Sequence, residues 1–145
     1  MATLLIVDDD ILIRDMLREL LSPLHECHTA DRGQQALAYL DIETYAAVLT
    51  DLSMPGLSGR QLLKYIQARH SATPVIVLSG EFAESEQEEL LDLGAFACFT
   101  KPFQLEEIEE AVARAIDHHQ KLASVHQSEE TTQSKPSPLD TDNSE

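Results

Sequence analysis

Four short apolar runs, each stopped by a residue with chemistry to offer, govern what this chain can fold into. Leu4 to Val7 ends in Asp8, Asp9 and Asp10. Ala46 to Leu49 ends in Thr50 and Asp51, Val75 to Leu78 ends in Ser79, and the weaker Ala95 to Thr100 ends in Lys101. Runs that are continuously apolar rather than alternating predict strands covered on both faces, as in a parallel sheet. A fainter run, Cys27 to Ala30, predicts one further strand.

Helical patterns separate these runs. Ile11 to Leu21 repeats apolar residues at three and four residue spacing (Ile13, Met16, Leu17, Leu20, Leu21) and stops before Ser22 and Pro23. Gln34 to Leu40 is a shorter pattern. Gly59 to Arg69 sets Leu62, Leu63 and Ile66 on one side, and Ser85 to Leu93 ends at Gly94, a residue suited to a helix C-terminus. Leu105 to Leu122 carries Leu105, Ile108, Val112, Ala115 and Ile116, with glutamates early and Lys121 late, in the sense the helix dipole favours. The alternation predicts an α/β fold: a doubly wound five-stranded parallel sheet with right-handed crossovers and helices on both faces.

At 145 residues the chain suits one domain with a core and a short extension. From Ser124 the sequence turns polar and contains Pro136 and Pro138, too little apolar surface to offset the cost of ordering. Residues 1–123 are therefore expected to form the domain, and 124–145 a disordered acidic tail or the start of a linker. The tail holds five acids and one lysine, so −12 of the total charge of −16 stays with the domain. Such a surface repels a phosphate backbone and argues against direct nucleic-acid binding. No apolar stretch approaches the roughly 18 to 20 residues of a membrane span, and no basic segment precedes the first apolar run, which leaves the cytoplasm as the expected compartment. Cys27 and Cys98 have no zinc or disulfide spacing and read as small buried hydrophobes. His118 and His119 read as a solvated helix end.

In an open parallel sheet, functional groups collect beyond the carboxyl ends of the strands. Those ends would bring together Asp8 and Asp9, with Asp10 adjacent, then Asp51, Ser79 and Lys101. Three carboxylates against one lysine leave negative charge that recruits a cation or raises a pKa. Oxygen ligands without histidine or cysteine favour Mg2+, and a hydroxyl and a lysine opposite them suit a phosphoryl group. The implied chemistry is in-line phosphoryl transfer to an aspartate.

The segments "LLIVDDD", "VLTDLSMPGLSG", "PVIVLSG" and "GAFACFTKPF" together resemble the receiver domain of response regulators in bacterial two-component signalling, over about Leu4 to Lys121. The resemblance implies a flavodoxin-like strand order 2-1-3-4-5. It implies Asp51 as phosphoacceptor, and Asp8, Asp9, Asp51 and the backbone carbonyl of Ser53 as holders of Mg2+. Ser79 matches the switch hydroxyl, and Lys101 the lysine that pairs with the phosphate, its bond to Pro102 being cis in the family. Ser53 and Glu81 match positions that tune hydrolysis of the acyl phosphate, while Asp10 reads as a cap of the first helix. Where relatives carry an aromatic switch residue this chain has Cys98. Phe99, one residue on, points to the opposite face and belongs to the core, and Phe103 belongs beneath the last helix.

The implied partners are a histidine kinase or phosphotransfer protein and a downstream effector protein or domain, with the chain acting alone or as the N-terminal receiver of a longer regulator. The resemblance implies a signalling module rather than an enzyme. An aspartyl-phosphate phosphatase of the haloacid dehalogenase kind wants an acid where Ser53 stands, and a non-phosphorylated pseudo-receiver would lack site residues that are all present here.

Overall fold

The computed structural model describes the backbone of residues 2–83 and 85–134, and side chains through Ala123. Strands and helices alternate from end to end: β1 (Thr3–Val7), α1 (Ile11–Leu21), β2 (Glu26–Ala30), α2 (Gly33–Ile42), β3 (Ala47–Asp51), α3 (Gly59–Arg69), β4 (Val75–Ser79), α4 (Glu86–Asp92), β5 (Ala97–Thr100) and α5 (Leu105–Ser134). All strand pairs are parallel, and the order across the sheet is β2-β1-β3-β4-β5. This is the expected doubly wound arrangement.

Every residue of β3 and of β4 is buried, which explains their unbroken apolar sequence. Alternate residues feed two separate cores. Leu5, Val7, Val48 and Val77 pack with Leu62, Leu63, Ile66 and Leu90 on the side of α2, α3 and α4. Leu4, Ile6, Leu49 and Leu78 pack with Leu17, Ile108 and Val112 on the side of α1 and α5. The one-residue offset inside β5 obeys the same rule: Cys98 packs against the first core and Phe99, with Phe103, against the second.

Local signals set the helix starts. Asp10 caps α1, its side chain accepting the Leu12 N–H at 2.9 Å. Ser58 and Gln61 close a reciprocal capping box on α3. Gly94, at φ 110°, ends the α4 region in a conformation a side chain resists.

Four expectations change. The two cysteines are half-buried rather than buried, because β2 and β5 are the edge strands and each is covered less completely than the centre. Leu105 is 39% exposed and opens α5 instead of lining its core stripe. His119 is not simply solvated: its Nδ1 lies 2.8 Å from the Ala72 carbonyl, while the His118 ring lies 5.5 Å from that of Phe96, tilted by 42°. Finally, α5 continues past Leu122, covering Leu105–Ser134. Residues 135–145 of the expected tail lie outside the described residues.

The start of α3 fixes the site above it. The Gly59 N–H donates to the Leu52 carbonyl at 2.9 Å, and a Cβ at Gly59 would collide with the Asp51 carbonyl oxygen and stand 2.8 Å from the Leu52 Cα. Gly59→Ala is expected to lower unfolding free energy by about 2 kcal/mol or more, since backbone and not a flexible side chain must move. Urea denaturation checks this, and an unchanged midpoint would contradict the packing described.

Candidate functional site

Strand register brings the site together. Val7 pairs with Thr50, Asp51 with Leu78, and Ser79 with Thr100, so Asp8, Asp51, Ser79 and Lys101 emerge at one level of the sheet. Backbone bonds continue just past the strands: Asp8 N–H to the Ala30 carbonyl at 3.1 Å, Leu52 N–H to Leu78 at 2.8 Å, and Lys101 N–H to Ser79 at 2.7 Å. The peptide bond from Lys101 to Pro102 is cis. Asp51, Ser53, Ser79, Gly80, Glu81 and Lys101 line an open cleft of about 750 Å³.

Asp8 is the most constrained member. It is 1% exposed, its Oδ1 accepts the Asp10 N–H at 2.9 Å, and its Oδ2 accepts the Lys101 ammonium at 2.9 Å. Arg14, from the first turn and a half of α1, donates to the Asp8 carbonyl at 2.8 Å. All of its polar groups are thus held, as a buried acid requires. Asp51, 7% exposed, receives Lys101 at 3.3 Å. Asp9 is exposed, and ligand atoms of Asp8, Asp9 and Asp51 all lie within 4.8 Å of one another.

Charge is unbalanced at this point. Burial, reinforced by the Asp8 charge, pushes the Asp51 carboxyl above its ordinary value despite the opposing pull of Lys101. Burial works against the Lys101 ammonium as well, but its hydrogen bond to Asp8 and the two carboxylate charges outweigh it, and its pKa is raised. A cluster of hard oxygen donors with residual negative charge fits a small divalent cation such as Mg2+, and it offers no soft ligand for a transition metal.

Ser79 borders the same cleft, yet its hydroxyl is turned to the following loop. It donates to the Glu81 carbonyl at 2.8 Å and accepts the Glu81 N–H at 3.2 Å. Ser53 is exposed at the cleft. Cys98 lies below, and burial pushes its thiol up, which leaves little thiolate for redox chemistry.

Two contacts were not anticipated from sequence. Arg14 reaches the Asp8 carbonyl from six residues along the chain, a contact that no local spacing rule signals. Arg60, joined to Glu86 at 3.2 Å and to Glu89 at 3.0 Å, links α3 to α4 across a gap that no periodic pattern reveals.

A parallel sheet of this order, with aspartates, a hydroxyl and a lysine at its carboxyl edge, defines a receiver-type signalling module. The chain belongs to the response regulator receiver domain family, whose model matches residues 4–113. It is 37% identical over 116 residues to the DNA-binding transcriptional regulator NtrC of Salmonella typhimurium, covering 79% of this chain and 25% of that protein. It is 38% identical over 109 residues to the transcriptional regulatory protein CpxR homolog of Haemophilus influenzae, covering 74% and 47%. The solved structure of chemotaxis protein CheY4 of Vibrio cholerae matches at TM-score 0.73 and 30% identity, over 79% of this chain and 98% of that one. The chain thus spans a quarter of NtrC and under half of the CpxR homolog.

The raised Asp51 carboxyl has a consequence for stability. An acid whose folded pKa exceeds its unfolded value, near 3.8, costs nothing below that value and its full penalty above the raised one. With chelator present, Asp51→Asn should raise Tm by a few degrees at pH 7, a gap that closes as pH falls towards 4. A pH series of thermal melts checks it, and a gap independent of pH would contradict the cause given.

Proposed function

We propose that this protein is the phosphoacceptor of a two-component relay, taking a phosphoryl group from a phosphohistidine donor onto Asp51. The observation that carries the reading is the gathering of the Asp8, Asp9 and Asp51 carboxylates within 4.8 Å, with Lys101 in ion-pair contact with Asp8 and Asp51. The side-chain oxygen of Asp51 attacks phosphorus as the bond from phosphorus to the histidine nitrogen breaks, and an acyl phosphate forms. Asp8, Asp9 and Asp51 with the Ser53 carbonyl would hold Mg2+, which would supply positive charge against the phosphoryl oxygens. Lys101 remains protonated throughout, given its raised pKa, and supplies a fixed positive charge for the incoming group. Ser79 leaves the Glu81 carbonyl to donate to the phosphoryl group. Ser53 and Glu81 border the approach of water to the acyl phosphate and set its lifetime.

The module signals by population shift rather than by turning over an external substrate. Its partners are a histidine kinase or phosphotransfer protein upstream and an effector protein or domain downstream, as the similarity to NtrC supports. The net charge of −16 speaks against direct nucleic-acid contact by these residues. Among the described residues no helix is long and apolar enough to cross a membrane, and we place the protein in the cytoplasm.

Incubation with acetyl phosphate and Mg2+ should label the protein once per chain. Asp51→Asn or added EDTA should abolish the label, and Lys101→Met should slow labelling by about a hundredfold or more. Label that survives Asp51→Asn would overturn the assignment.

A further inference from the structure

The segment following Ser79 is held by a connected set of bonds that ends at Arg60. The Ser79 hydroxyl exchanges two hydrogen bonds with the backbone of Glu81. Two residues on, the Ala83 N–H donates to Glu86 Oε1 at 3.1 Å, and Glu86 Oε2 in turn receives Arg60 at 3.2 Å. Arg60 also reaches Glu89 at 3.0 Å with its second terminal nitrogen. Phe82, between these points, is partly buried against the core that contains Leu90, the core against which Cys98 also packs.

The two ends of this set differ in firmness. Arg60 follows Gly59, whose backbone is bonded to Leu52 beside Asp51, so its anchor belongs to the rigid phosphoacceptor strand. The α4 end is loose: the helix spans seven residues, Leu90 is its buried residue, and Ser85 at its start makes no capping bond. Side chains of Arg60 and Glu86 are 28% and 26% exposed, so their pairing is less screened than a surface ion pair.

We propose that Arg60 is a latch: paired with Glu86 and Glu89, it holds α4 and the stretch from Ser79 to Ala83 in the arrangement that keeps the Ser79 hydroxyl on Glu81 and away from Asp51. This rests on the phosphoacceptor reading for its consequence, but the latch itself is a property of the unphosphorylated chain. When Ser79 turns to a phosphoryl group on Asp51, the Glu81 bonds break, the Ala83 to Glu86 link slackens, and Arg60 releases α4. Arg60 is a positioning residue, acting through Glu86 and the loop backbone. It biases an equilibrium, so its removal favours the released arrangement before any phosphoryl group arrives.

The full chain, wild type and Arg60→Gln, is compared by two readings. Amide hydrogen exchange of Glu81, in unphosphorylated protein with chelator, should quicken roughly three- to fivefold in the variant. The initial rate of phosphorylation by acetyl phosphate with Mg2+ should rise by a similar factor, a gain that mere loss of stability does not produce. Unchanged exchange at Glu81, or faster exchange without faster phosphorylation, overturns the latch, as does a lowered Tm with neither reading altered. A wild-type chain that takes no label removes the phosphoacceptor reading, and the exchange comparison still decides the latch.

Discussion

The bridge from the Lys101 ammonium to Asp8 and Asp51 is the contact on which the rest of this structure depends. It joins residues 93 and 50 positions apart, at 2.9 and 3.3 Å, and so ties the ends of β1, β3 and β5 together. Both acids are buried, and an unpaired buried charge costs several kcal/mol. One cation against the two buried acids and the neighbouring Asp9 leaves the site short of positive charge. That shortage supports the proposed function, in which the site would receive a cation and the charge changes of phosphoryl transfer.

Much of this was legible in the sequence because burial on both faces leaves a plain signature. The four apolar runs marked central strands, and the residue ending each run marked the site, since parallel strands deliver their carboxyl ends to one edge. Asp10 as a cap, Gly94 as a helix stop and the opposite facing of Cys98 and Phe99 followed from local rules that tertiary packing did not override. The half-burial of Cys27 and Cys98 was less legible because it depends on which strands lie at the edges, a fact of topology rather than of local pattern. The length of α5 was hidden because its polar continuation offers no apolar stripe. Contacts between side chains of different helices, such as Arg60 with Glu86 and Glu89, have no periodic sequence signal at all.

In the proposed latch, coupling between the site and the outer surface runs through the β4 to α4 connection. Ser79 is engaged with its own loop, and the small Cys98 faces the same core that Phe82 packs against. A lever based on a swinging aromatic in β5 is not available at position 98, whereas the loop after Ser79 has polar and apolar holds at both ends. The sheet provides a rigid floor, and the short helix α4 is the element that the proposed latch would hold or release.

The deficit of positive charge at the strand ends is local to Asp8, Asp9 and Asp51, and we propose that a divalent cation meets it. A calorimetric titration with Mg2+ of the wild-type chain, Asp9→Asn and Asp10→Asn tests it most directly. One saturable site is expected, weakened more than about tenfold by Asp9→Asn and little changed by Asp10→Asn, whose asparagine still caps α1. Absence of binding, or equal loss in the two variants, would contradict it.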